Sequence, residues 1–263
     1  MFDPEGPRLR ELVVQSLSSV ERGYDLLAPK FDHTPFRTPD SVLEATASAL
    51  RRAGPFGAGL DLCCGTGAGV GVLRQVCEAS VTGVDFSAGM LEVARERTVP
   101  SGPSGPSGQS GAFGTRGGPD SSGPPVGWVR ADARVLPFGP VFDLVVSFGA
   151  FGHFLPRERP GLFAQVHSVL RPGGRFVFPV VAPPRPGSPM YGMLLGFDTV
   201  MRVRNAVWRP PFVMYYRAFR FGEMWRELTW AGFRVEFWPL PEFGRRRDGS
   251  PKVRLVVAAR AGT

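Results

Sequence analysis

The chain has 263 residues, 43% of them apolar and 21% charged, which is the composition of a globular protein with a substantial core and excludes disorder of the whole chain. No apolar run reaches the roughly 18 residues that cross a bilayer, and MFDPEGPRLRE lacks the basic-then-apolar order of a signal peptide, so the expectation is a soluble, cytoplasmic protein. The net charge of +8 is carried almost wholly by arginine, Lys30 and Lys252 being the only lysines. It is scattered apart from Arg245, Arg246 and Arg247, which reads as solvated surface more than as a nucleic-acid track.

In chain order, SVLEATASALRRAG from Ser41 has helical spacing at Val42, Leu43, Ala49 and Leu50, with Ser41 and Glu44 placed as a capping box. GLDLCC reads as a buried strand, GVGVLRQVCEA as a helix, SVTGVDF as a second strand and SAGMLEVARERT as a second helix. Residues 101–125 hold eight Gly, five Pro and six Ser, too little apolar area to offset ordering entropy, and read as a mobile surface insertion. Beyond it, GWVRADA, FDLVVSF and GRFVFPVV are strands, with PGLFAQVHSVL a helix between the last two. FGEMWRELTWAGF is an amphipathic helix before the strands FRVEFWPL and KVRLVVAAR. The alternation predicts one α/β domain spanning 1–263. Its seven-stranded sheet is mostly parallel, covered by helices on both faces and closed at one edge by an antiparallel C-terminal hairpin. Residues 183–221, rich in Pro, Met, aromatics and Arg, fit this alternation poorly and suit either a substrate lid or core helices.

Three cysteines, two of them adjacent, make a poor disulfide framework, and no histidine pairs with them at metal-ligand spacing; reduced thiols and no metal are expected. In LDLCCGTGAG, the glycines at 65, 67 and 69 supply positive backbone φ or room for something to approach the chain. They lie between a strand ending near Cys64 and a helix starting near Ala68. Asp85 ends the next strand twenty positions after Gly65, where a carboxylate can accept from both hydroxyls of a ribose. G-x-G-x-x-G is not completed and no phosphate-binding G-x-x-x-x-G-K-S/T occurs, which suits a nucleoside without a pyrophosphate.

LDLCCGTGAG, VTGVDFSAGML, RADARVLPF, FDLVVSFGAFGHF and VLRPGGRFVF, in this order, resemble the successive motifs of the class I S-adenosylmethionine-dependent methyltransferases. The resemblance is to the small-molecule branch with the ubiquinone and menaquinone enzymes, and it covers roughly residues 20–180. It implies a Rossmann-like fold, S-adenosyl-L-methionine as cofactor and a small organic methyl acceptor, apolar or aromatic if 183–221 is a lid. By that resemblance Asp61 and the turn from Gly65 to Gly67 face the methionine part, and Asp85 holds the ribose. Phe86 and Met90 pack on the adenine, Asp132 accepts from its amino group with Ala133 alongside, and Phe148 lines the cleft near the sulfonium. Cys63 stands beside the cofactor where the family pattern D-x-G-x-G-x-G has glycine. A Cβ there implies a backbone conformation that is not restricted to glycine.

Transfer from a sulfonium needs alignment more than covalent help, and His153 in FGAFGHF is the candidate base should the acceptor have to lose a proton. His167 suits a structural place on its helix, and His33 has no evident partner. Two rival readings are a nucleic-acid methyltransferase, suggested by the basic charge, and a non-catalytic module that binds the cofactor. Against the first, the fourth strand runs into SFGA and not an S/N/D-P-P-Y tetrapeptide. Against the second stand the intact glycines and acids.

Overall fold

The computed structural model describes residues 5–34, 36–98, 123–215 and 221–262. All but the last three residues of the insertion at 101–125 lie outside them, as do the terminal residues and 216–220 of the 183–221 segment.

The strands are β1 (Phe56–Leu62), β2 (Cys77–Asp85), β3 (Val126–Arg130), β4 (Phe142–Val146), β5 (Leu170–Val181), β6 (Phe233–Pro239) and β7 (Val253–Arg260). They form one seven-stranded sheet in the order β3-β2-β1-β4-β5-β7-β6. The first five strands are parallel, and β7 runs antiparallel to both β5 and β6. The expected hairpin edge is present. The later strand takes the inner place because Leu255, Val256, Val257 and Ala258 are buried on both faces, whereas β6 alternates and tolerates an edge.

Side chains alternate between two cores as the period of two requires. Val145, Phe176, Phe178, Val256 and Ala258 pack beneath α6 (Arg159–Val169) and α8 (Phe221–Trp230). Leu144, Val146, Val177, Leu255 and Val257 meet α3 (Asp40–Arg51) and α4 (Ala68–Leu73) on the opposite face. Phe163, Phe176 and Phe178 are fully buried, each contributing about 2–3 kcal/mol of apolar burial.

Two local expectations are corrected. The first long helix starts at Asp40 behind Pro39 and has no side-chain cap, so Ser41 and Glu44 form no capping box. Asp40 instead accepts from Arg37 at 2.5 Å, a negative charge in the first turn. The helix expected over GVGVLRQVCEA ends at Leu73, because Cys77 is drawn into register with Phe56 and starts β2 eight residues before Asp85.

A third cluster sits apart from the sheet. It joins Met201 of α7 (Pro189–Val207) with Phe212, Met214 and Tyr215, packed against Tyr24 of α2 (Val20–Leu27). Within 183–221, α7 and residues 212–215 thus pack with the N-terminal helices as a cap, whereas Phe221 opens α8 against the sheet's core.

Candidate active site

The carboxyl ends of β1, β2 and β4 meet at the turn from Cys63 to Gly67. Gly65 and Gly67 have φ of 52° and 89°, the left-handed region that favours glycine. Gly69 serves by close approach, since a Cβ there would lie 2.5 Å from the Asp61 carboxylate. Cys63, with φ of 57°, is the one non-glycine residue in that region among the described residues. Its backbone is thus the kind that glycine adopts most readily, which accounts for the family's glycine at this place. As expected, it is not a conformation restricted to glycine: a Cβ reaches it at a cost of about 1 kcal/mol.

Asp61 is 1% exposed and its Oδ2 has no hydrogen-bond partner among the described residues. Burial raises its pKa well above the ordinary carboxylate value, and the charge of Asp85 raises it further. The Val70 and Gly69 amides partly oppose the shift. Asp85 is held in place by two backbone amides, Gly65 N–H donating to Oδ2 and Ser87 N–H to Oδ1, both at 2.9 Å. Burial raises its pKa too, against these hydrogen bonds. Space is open beside Gly65, where a Cβ would meet nothing within 4 Å. A buried, unpartnered carboxylate oxygen next to an open glycine turn suits a cationic group, and the adjacent Asp85 keeps acceptor capacity for hydroxyls.

The remaining nominated residues divide. Cys63 lies among Asp85, Asp61 and Asp132, and burial with these charges pushes its thiol well above the ordinary value, so it is no thiolate nucleophile. Phe86 and Phe148 are half-buried, Phe148 packing on the core. Ala133 is buried, and Met90 is 1% exposed and packed as core. Asp132 is gripped by Arg134, whose Nη2 donates to Oδ2 at 2.6 Å and whose Nε donates to both oxygens at 3.0 Å. Arg134 holds its carboxyl below the ordinary range. Any adenine contact there uses lone pairs that Arg134 leaves.

His153 lies in a 3-10 turn at 150–153, and both of its ring nitrogens are engaged. Nδ1 is 2.7 Å from the Val213 carbonyl, so it carries the proton, and Nε2 accepts from the Tyr24 hydroxyl at 2.8 Å. Burial lowers its pKa, against the Val213 hydrogen bond, and so favours the neutral ring. His167 packs edge-on to Phe233 as a structural residue, and His33 lies 3.6 Å from Glu5.

The sequence reasoning missed an N-terminal clamp. Asp25 accepts from Ser87 Oγ at 2.6 Å and from Gly89 N–H at 3.0 Å, and Asp32 accepts from Thr66 Oγ1 at 2.7 Å while pairing with Arg97. These two acids fasten α2 and the following 3-10 turn (Ala28–His33) to the glycine turn and to the start of α5 (Ala88–Thr98). Their spacing in YDLLAPKFD was visible, but nothing local in it signals contacts so far along the chain.

A family model described as a methyltransferase domain matches residues 60–178, the segment that builds this site. The ubiquinone/menaquinone biosynthesis C-methyltransferase of Desulfotalea psychrophila is 29% identical over 81% of this chain and 69% of its own length. The demethylmenaquinone methyltransferase of Thermus thermophilus is 30% identical over 49% of this chain, which spans only 49% of that relative. Among solved structures, the magnesium protoporphyrin IX methyltransferase of Synechocystis shares the fold, with a TM-score of 0.57 over 95% of this chain and 99% of that one at 15% identity. Five ordered motifs, the sheet order and the match over the site-building residues agree: residues 60–178 match a methyltransferase domain, and the chain is similar to the class I S-adenosylmethionine-dependent methyltransferases of the quinone-methylating branch.

Proposed function

We propose that the protein transfers a methyl group from S-adenosylmethionine to a small, apolar or aromatic acceptor by direct in-line displacement. The observation that carries the cofactor side is Asp61 Oδ2, buried without a partner beside the open turn at Gly65. In this reading Asp61 accepts from the ammonium and Asp85 from the ribose hydroxyls. Phe86 and Ala133 border the adenine, and Cys63, Gly67 and Phe148 wall the cleft. Met90 supports Phe86 from the core, and Asp132 holds Arg134 at the adenine rim. The bound cofactor supplies an activated methyl on a good leaving group, so the chain's task is to orient the acceptor and keep water out.

The cap supports this acceptor class: Met201, Phe212, Met214, Tyr215 and Tyr24 make it an apolar, aromatic cluster. The names of the quinone-methylating relatives agree with an aromatic ring as acceptor. For a phenolic acceptor the proton passes to the Tyr24 oxygen as the Tyr24 proton moves to His153 Nε2, so His153 acts through Tyr24. The nucleic-acid reading gains no specific observation. A cytoplasmic location fits the three free cysteines.

The test is a mass-spectrometric screen of hydroquinones, naphthols and catechols with the purified protein and S-adenosylmethionine. One aromatic class should gain a single CH2 unit. Cofactor binding without any methylated product across these classes would favour the non-catalytic module instead.

A further inference from the structure

The cap helix α7 has two apolar faces. Leu194, Met201 and the buried Asp198 turn inward, and Met193, Val200, Val203 and Val207 recur at spacings of seven, three and four, which places them on one outward stripe. That stripe is 59%, 65%, 57% and 77% exposed at these four positions, an unusual surface for a helix, and no apolar neighbour covers it among the described residues. It continues at its C-terminal end, where half-exposed Trp208 donates to the Leu17 carbonyl at 3.2 Å beside exposed Val13, Val14 and Leu17 of α1 (Leu9–Leu17).

The one acid of α1, Glu11, is paired with Lys30, and the exposed charge next to α7's C-terminal end is basic. Arg209 is exposed just after α7, Arg202 lies on the other side of the helix with its guanidinium 4.8 Å from the centre of the Tyr215 ring, and the only acid of the helix, Asp198, is buried. At the root of the same helix, Arg185, Arg245, Arg246, Arg247 and Lys252 line a single surface cavity at the end of β5, and no carboxylate joins them in that lining. This gathers the one concentrated charge run of the sequence onto the cap side of the sheet.

We propose that the outward face of α7, with Trp208 and the flanking arginines, docks on an anionic lipid surface. The cap is thereby laid against the layer in which a lipophilic acceptor resides. This rests on the apolar-acceptor reading and deepens it. An apolar stripe goes into the acyl boundary while Arg and Trp sit at headgroup level, and apolar area and anionic attraction add. No helix of the described residues is long and apolar enough to cross a membrane, so the contact lies in the plane of the interface. A second copy is the poorer occupant, because pairing two such faces would bring arginines against arginines.

The experiment is co-sedimentation of the full chain with vesicles of phosphatidylglycerol and phosphatidylcholine, and with phosphatidylcholine alone. It is repeated with Val203→Glu/Val207→Glu, with light scattering of both proteins in solution. The expected result is binding to the anionic vesicles that weakens as salt rises, at least ten-fold weaker partitioning of the variant, and unchanged S-adenosylmethionine affinity in both proteins. Equal partitioning of parent and variant, or no binding at low salt, overturns the proposal. A dimer that the variant loses would overturn it in favour of a contact between copies. Failure of the methyltransferase reading would show separately, as absent cofactor binding in the parent.

Discussion

Cys63 holds a left-handed backbone with a side chain that glycine would lack. Its thiol is packed against the core and kept protonated by burial and by three nearby carboxylates, so it contributes no thiolate chemistry. Cys63→Gly should relieve about 1 kcal/mol of backbone strain, less the loss of its packing and the added freedom of the unfolded chain. Near-neutral stability with retained cofactor binding is therefore expected in thermal melts, and loss of binding would show that the thiol itself is needed. His153 is a different case, since one of its two hydrogen bonds latches Val213 and the other, to Tyr24, is the proton path of the proposed mechanism. His153→Gln and Tyr24→Phe should each lower kcat about 100-fold on a phenolic acceptor and leave cofactor affinity within a factor of two. In the parent, the acid limb of the pH profile should fall below the usual histidine value of 6.5, in the direction burial moves His153. A variant with an unaltered acid limb would mark the histidine as a latch only.

At the scale of elements, the N-terminal α2 and its 3-10 turn close over the glycine turn through Asp25 and Asp32. Removing one of these charge-assisted contacts should cost about 1.5–3 kcal/mol locally. Asp32→Asn is expected to weaken S-adenosylmethionine binding about ten-fold and to speed proteolytic cleavage between residues 5 and 34. Unchanged protection would mean that packing of Tyr24 and Leu27 alone holds the segment. This clamp shows where the sequence was silent. The motif acids Asp61 and Asp85 were legible because each ends a strand beside a turn whose glycines announce themselves. Tyr24, Asp25 and Asp32 act across 129, 62 and 34 residues of chain, and no local pattern encodes such pairings. The capping box at Ser41 failed for a related reason, because Pro39 starts the helix one residue earlier and Arg37 captures Asp40.

Across the whole molecule, strand alternation made the layered fold readable, and the hairpin edge with it. The placing of β7 inside β6 depended on how completely each strand is buried, which no motif states. The charge layout is equally a property of the whole: a protein of net charge +8 keeps buried acids at the carboxyl end of its sheet. Folding raises the pKa of Asp61 and Asp85 above the ordinary value of 3.8. Below that value both the folded and the unfolded chain hold the protons and these acids are neutral to stability. As pH rises through it the unfolded chain releases protons that the folded chain still holds, so stability falls until the raised folded pKa is passed. Asp61→Asn should therefore melt higher than the parent at pH 7, by a margin that narrows toward pH 4, while losing cofactor binding. A cationic ligand reverses the penalty, so affinity for S-adenosylmethionine should climb over the same pH window as the acids ionise.

The central claim, that these acids and the glycine turn form the cofactor site, is tested most directly by calorimetric titration of S-adenosylmethionine into the parent protein and into Asp85→Ala. One molecule bound per chain, with affinity at least 100-fold weaker in the variant and an unchanged circular dichroism spectrum, is the expected result. No binding to the parent, or equal affinity in the two proteins, would contradict it.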